Sequence, residues 1–268
     1  NLIFEDTISK FPIHMTASDC KSLKQTNFYL TGSMQIRWPN ECNKIFLKNH
    51  NNEDKFFLLG QNISMNKDRN FLLEKKFDDL SENTNVEMIS KNNFIISKDI
   101  ELTKNTHIPK NLNFLIKEGV VINIIKNSTL FVEGNIKFIG KDNNEIIIQS
   151  DGTGSLVFLN NKVEIKNMVV ENLGYPKLNR YILYGGLNFI NTELNLENIL
   201  IKNSQSEDAI NLVDSTAILK NISFENIESD AVDIDFSLVK FSKIICSRIN
   251  NDCLDISGSK IVGTDLSV

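Results

Sequence analysis

Seven aspartates lie between residues 208 and 255, at Asp208, Asp214, Asp230, Asp233, Asp235, Asp252 and Asp255, with few basic residues beside them. Carboxylates serve as general acids and bases, as ligands for hard cations and as acceptors for backbone N–H groups, so three chemistries are open to such a set. Their spacing narrows the choice. Glu207-Asp208-Ala209-Ile210-Asn211-Leu212 is followed by Ser229-Asp230-Ala231-Val232-Asp233-Ile234 and then by Asn251-Asp252-Cys253-Leu254-Asp255-Ile256, each phrase 22 residues after the one before. A serine keeps step at Ser215, Ser237 and Ser259.

The elements that must carry these phrases follow from the period. A repeat of about 20 to 50 residues marks an array whose units bury their apolar faces against one another. Within a unit the apolar residues alternate in short runs, such as Ile210/Leu212, Ala217/Leu219 and Ile222/Phe224. That is the pattern of half-buried strands. Asn, Asp, Ser and Gly between the runs are corner residues. Three short strands and three corners per unit make one coil of an all-β, right-handed parallel β-helix, a single-stranded solenoid of the pectin-lyase-like type. A second ladder runs through Asn167, Asn198 and Asn221 and through Asn172, Asn203 and Asn226. Stacked corner asparagines bond one another and the backbone, so their expected role is structural. The first step of that ladder is 31 residues, which predicts a loop thrown out of one coil around residues 173–180.

Alternation then places the acidic side chains. With Ile210 and Leu212 inward, Asn211, Asp233 and Asp255 face outward in one column, and Asp208, Asp230 and Asp252 open each phrase near a corner. Charges stacked about 4.8 Å apart repel by roughly 0.9 kcal/mol in water and more in a groove. Such a column persists if its carboxylates bond backbone amides, share protons or hold a cation; calcium suits, through Asp208, Asp230 and Asp252. A glycan-binding face would use Asp208, Asn211, Asp233 and Asp235. A catalytic site would use Asp230, Asp252 and Asp255. Aromatic platforms for sugar are sparse: Phe236, Tyr175, Tyr181 and Tyr184.

From about residue 92 onward the chain resembles the right-handed β-helix domains of bacterial surface proteins associated with CotH-type kinases. The residues that carry the likeness are the three acidic phrases, extended through Asp235-Phe236 and Ser257-Gly258-Ser259. The resemblance implies a secreted or cell-surface location and no settled activity. The chain is more distantly similar to the pectin-hydrolysing polygalacturonases, with Ser229-Asp230 and Asn251-Asp252-Cys253 in place of that family's two acidic phrases. Asn251 stands where the pattern requires an aspartate, and an amide cannot act as a general acid, whereas inverting hydrolysis needs two carboxyl groups across the bond.

Composition excludes other classes. No run of 18 apolar residues exists, so no membrane span is expected. The net charge of −5 offers no basic face to a nucleic acid. The chain opens on Asn1 without a basic-then-apolar leader and stops inside a coil, so a removed leader, a longer parent protein, further coils beyond Val268 or a partner covering the last edge (an oligomer among them) are all expected alternatives. Cys20 and Cys42 are a candidate disulfide, which fits an extracytoplasmic protein. Cys246 takes the stacked place of Phe224 and is expected as a buried thiol, while Cys253 takes the place of Ala209 and Ala231. Residues 1–90 break the repeat, with strands in 27–30, 34–38 and 55–59 and a short helix or ordered excursion in 68–80, and are expected as a β-rich cap or small domain. Residues 91–268 form the solenoid, in about eight coils. The chain thus reads as a module that binds glycan or cation through its acidic face or serves as an adhesion scaffold. The alternative is a polysaccharide-active hydrolase, lyase or epimerase.

Overall fold

The computed structural model describes residues 77–176 and 183–268 in full, together with the strand backbone of the first 76 residues. The chain divides into two compact units, Asn1–Glu74 and Lys75–Val268. In the first unit, Leu2–Phe4 pairs antiparallel with Met34–Ile36, and Thr26–Asn27, His14–Thr16, Lys44–Lys48 and Asp54–Leu58 form a four-stranded antiparallel sheet. Cys20 and Cys42, and most of the excursion expected at 68–80, fall outside the described residues. The described end of that excursion is a short strand, Asp78–Asp79, and a single 3-10 turn, Leu80–Glu82.

The second unit is a parallel β-solenoid of about seven turns, close to the number read from the repeat. It begins earlier than residue 91, because Asp78–Asp79 already pairs in parallel with Thr106–Ile108. Its first edge is closed by Val86–Ser90, which folds back antiparallel on Asn93–Ile96. Two sheets run the length of the unit, one of eight strands ending at Leu254–Ser257 and one of twelve ending at Lys260–Ser267. The 22-residue period is the register: Asp208 stands against Asp230, Asn211 against Asp233, and Asp233 against Asp255.

The interior is built from apolar columns that this register creates. Leu130, Leu156, Leu187, Ile210 and Val232 follow one another through successive coils, as do Val132, Phe158, Phe189, Leu212 and Ile234. All are buried, and the Phe158 and Phe189 rings stack with centroids 4.7 Å apart. Truncating either ring removes contacts on both neighbouring coils, a loss on the order of 3–5 kcal/mol. In the last coil these columns surface, with Ile256 exposed, and so does the column through Ile222 and Ile244 that ends at Leu266.

The corners explain why polar residues recur between the columns. Asn160, Asn191, Asp214, Phe236 and Gly258 occupy one left-handed corner; Asn167, Asn198, Asn221, Lys243 and Asp265 a second; Asn172, Asn203, Asn226 and Arg248 a third. Asparagine tolerates this conformation and bonds its neighbour. Asn198 Nδ2 donates to Asn167 Oδ1 and Asn221 Nδ2 to Asn198 Oδ1, both at 2.9 Å. The serines form a parallel ladder, in which the backbone N–H of Thr192, Ser215 and Ser237 donates to the hydroxyl of Ser215, Ser237 and Ser259 in turn. The second corner lies within long strands such as Glu193–Lys202 and Thr216–Ile227, so two of the three strands expected per coil join into one bent strand.

Cys246 does stand against Phe224, as the repeat indicates, but it is not a free thiol: it is disulfide-bonded to Cys253, with the two Cα atoms 5.9 Å apart. One coil earlier the same two positions hold the buried pair Phe224 and Ala231. A large and a small apolar side chain facing each other across the third corner are replaced by two cysteines that close the same gap covalently. The Cys246→Ser/Cys253→Ser variant should lose about 2 kcal/mol of unfolding free energy, the chain-entropy value for so short a loop. Urea melts of the two proteins would check this, and equal midpoints would count against the staple.

Candidate functional site

The acidic phrases lie at the end of the eight-stranded sheet, on strands Asp208–Val213, Asp230–Asp235 and Leu254–Ser257. Alternation predicts their outward column correctly but not its exposure. Phe131, Val157, Asn188 and Asn211, which share that column, are all buried, and Phe77 lies over Phe131 with ring centroids 4.8 Å apart. The column reaches solvent at its two ends: Asp79 and His107 are half-buried at the first, and at the other Asp233 is half-buried and Asp255 is exposed.

That position controls the ionisation of the strip. Asp208 is only 4% exposed and accepts a hydrogen bond from Asn211 Nδ2 at 2.9 Å; the same amide nitrogen donates to Asp233 at 3.3 Å. One amide therefore serves two carboxyl groups. Burial raises Asp208 to about 6, opposed by the Asn211 bond and reinforced by Glu207, Asp230 and Asp235. Burial is also the largest influence on Asp233, followed by Asp235, Asp208, Asp255 and Asp230, and together they raise it to about 8. Asp233 thus carries its proton at neutral pH. Of the three outcomes open to a stacked acidic column, holding protons and bonding amides are the two realised here.

Asp230 is buried, and its Oδ1 accepts twice, from Asn251 Nδ2 at 2.8 Å and from the backbone N–H of Asp252 at 2.7 Å. It caps a corner. The Asn251 amide has a direct purpose: an aspartate there would face Asp230 with like charge. Asp252 and Asp255 are exposed, and Asp235 is half-buried. Among the described residues no group of three or more His, Cys, Asp or Glu is gathered so as to hold a metal ion, so Asp208, Asp230 and Asp252 do not converge on a calcium site. Of the aromatic candidates, Tyr175 and Tyr184 are exposed, and Tyr181 falls outside the described residues. Phe236 is exposed and lies over the next corner, where a Cβ on Gly258 would come within 2.8 Å of its ring.

A second feature has no motif in the sequence. The outer face of the twelve-stranded sheet carries a groove of about 820 Å³ that crosses six successive strands, from Asn93–Ile96 to Thr216–Ile227. At the stacking distance of adjacent strands it is roughly 24 Å long. One margin is an amide ladder, in which Asn135 Nδ2 donates to Asn113 Oδ1 and Asn113 Nδ2 to Asn93 Oδ1. Further along, Lys137 pairs with Glu164 and Lys162 with Glu193, each at 2.6 Å. Ile89, Leu115 and Ile218 supply apolar surface. Its volume and mixed lining are those of a ligand site. The signal was present as outward columns running Asn93, Asn113, Asn135, Lys162, Glu193 and Leu115, Lys137, Glu164, Asn195, Ile218, but these residues share no repeated phrase.

The two raised carboxyls give the solenoid a pH dependence of definite sign. Both are protonated in the fold at pH values where the unfolded chain has released the proton, so their contribution is complete below the ordinary carboxyl range. It is lost as pH rises through about 6 for Asp208 and about 8 for Asp233. The melting temperature should therefore fall from mildly acidic to mildly alkaline pH, and Asp233→Asn, which keeps the neutral form, should melt on the order of a few degrees higher than wild type at the alkaline end. Parallel melting curves for the two proteins across that range would rule out the buried proton. Compared with known protein families, characterised proteins and solved structures, the chain matches no family model, no curated protein and no structure.

Proposed function

We propose that this protein is a secreted or surface-displayed module that holds an extended polysaccharide along the side of its solenoid. The observation that carries the reading is the axial groove, which crosses six successive strands and offers amides, a hydroxyl, paired charges and apolar residues along its length. A groove of that length, running along the stack of strands, suits an extended polymer lying along the solenoid axis. Sugar hydroxyls both donate and accept, as amides do, while their C–H faces pack on side chains such as Leu115 and Ile218. The Cys246–Cys253 disulfide favours an oxidising compartment. The repeated acidic phrases remain the support for a right-handed, pectin-lyase-like helix and for kinship with bacterial surface β-helix domains. An adhesion role through the acidic face would rest on Asp252 and Asp255, which are exposed, with half-buried Asp233 and Asp235 beside them.

A second reading is favoured by one observation. Asp233 keeps its proton at neutral pH and stands one coil from exposed Asp255, which is an acid beside a candidate base. A hydrolase or lyase would then use that pair rather than Asp230, which is buried and whose Oδ1 is taken by Asn251 and the Asp252 backbone.

Affinity electrophoresis through gels containing single polysaccharides separates the readings. The binding module should be retarded by at least one of them, and Ile218→Arg, at an exposed groove position, should lose about tenfold in affinity with an unchanged melting temperature. Retardation by none, with product released from a polysaccharide by wild type but not by Asp233→Asn, would replace the first reading with the second.

A further inference from the structure

Among the described residues, one buried side-chain atom has no hydrogen-bond partner: the amide oxygen of Asn195. Asn195 lines the groove, in the outward column between Glu164 of the preceding coil and Ile218 of the next. A buried acceptor left unmet costs about 1–3 kcal/mol, so the position is unfavourable unless something donates to it. Its neighbours cannot. Glu164 is committed to Lys137 at 2.6 Å, and Ile218 has no donor in its side chain. Leucine or isoleucine would fill the same place on the sheet without leaving an acceptor unmet, and Ile95, Leu115 and Ile218 occupy that column in other coils.

The charges of the groove narrow what the donor belongs to. Each lysine on its wall is neutralised across the rung by a glutamate, Lys137 by Glu164 and Lys162 by Glu193, and Lys166 pairs with Glu197 beside them at 3.3 Å. The lining therefore carries two cations and two anions, already joined. A polyanion would have to break these pairs and then face the freed glutamates; a polycation would face the freed lysines. An uncharged, hydroxyl-rich chain breaks neither.

We infer that the groove selects a neutral polysaccharide and that Asn195 is its specificity-determining residue, its amide turning outward to accept a hydrogen bond from a sugar hydroxyl towards one end of the site. This rests on the reading of the groove as a polysaccharide site. It distinguishes the protein from one built for pectic or other uronic chains, and it gives the acidic strip on the eight-stranded sheet no part in recognition.

The test uses the full chain and a panel of xylan, mannan and cellulose-derived oligosaccharides against polygalacturonate, with affinities measured by calorimetry. At least one neutral glycan should bind about tenfold more tightly than polygalacturonate, and its affinity should survive roughly 0.5 M salt, since an uncharged ligand does not depend on exposed charge. Asn195→Leu should weaken that glycan about tenfold while its melting temperature stays level or rises, because the orphaned acceptor is gone. A merely structural asparagine would give the opposite, a lower melting temperature and unchanged affinity. If Asn195→Leu does not fold, Asn195→Ala carries the same comparison. Tighter binding of polygalacturonate, or full affinity in the Asn195 variant while Ile218→Arg loses it, overturns the inference and leaves the groove as the site. Full affinity in both variants, or no binding by any glycan, overturns the reading beneath it as well.

Discussion

In-register stacking is the constraint on which everything else in the solenoid depends. Each residue has its equivalent directly above and below at about the strand spacing, so a side chain must be compatible with copies of itself. Apolar residues satisfy this without cost, which is why Leu130 to Val232 and Val132 to Ile234 run as unbroken columns. Asparagine satisfies it in another way, since its amide is both donor and acceptor and can pass one hydrogen bond down a ladder while adopting the left-handed corner. Carboxylates fail the test unless their chemistry changes.

The acidic strip shows how it changes. Asp208 and Asp233 flank Asn211, which has two amide hydrogens and gives one to each. Asp233 takes a proton instead of a counter-charge. Asp230 is held by the Asn251 amide and a backbone N–H. Each of these arrangements lowers repulsion within a stack, and each consumes an oxygen that a cation or a sugar would otherwise need. A motif that looks functional because it is acidic and repeated is here explained mostly by the requirements of the fold.

Legibility follows the same division. The period, the inward columns and the corner asparagines could be read from residues alone, because stacking writes the same residue type at a fixed interval; the loop expected at 173–180 lies in part outside the described residues. Three things could not. The disulfide was hidden because Cys246 and Cys253 belong to different phrases, and their facing each other is visible only from the buried Phe224–Ala231 pair they replace. The burial of Asn211 was hidden because alternation identifies which side of a sheet a residue faces, not whether that side is covered. The corner also accepts residues with no left-handed preference, as Lys243, Arg248 and Phe236 show, once neighbouring coils fix its geometry.

The groove is marked by no repeated phrase, for a physical reason. Stacking selects repetition, so a repeated phrase reports first on the fold; a binding surface is found where outward residues are free of that requirement. The column through Leu115, Lys137, Glu164, Asn195 and Ile218 is of this kind, changing character at every coil. Its lysines and glutamates still obey the local rule that neighbours be compatible, by alternating in sign. Asn195 is the exception, an acceptor with neither a copy of itself nor a donor beside it. In a solenoid where almost every polar group is answered from the adjacent coil, the unanswered one marks where an answer from outside the chain fits.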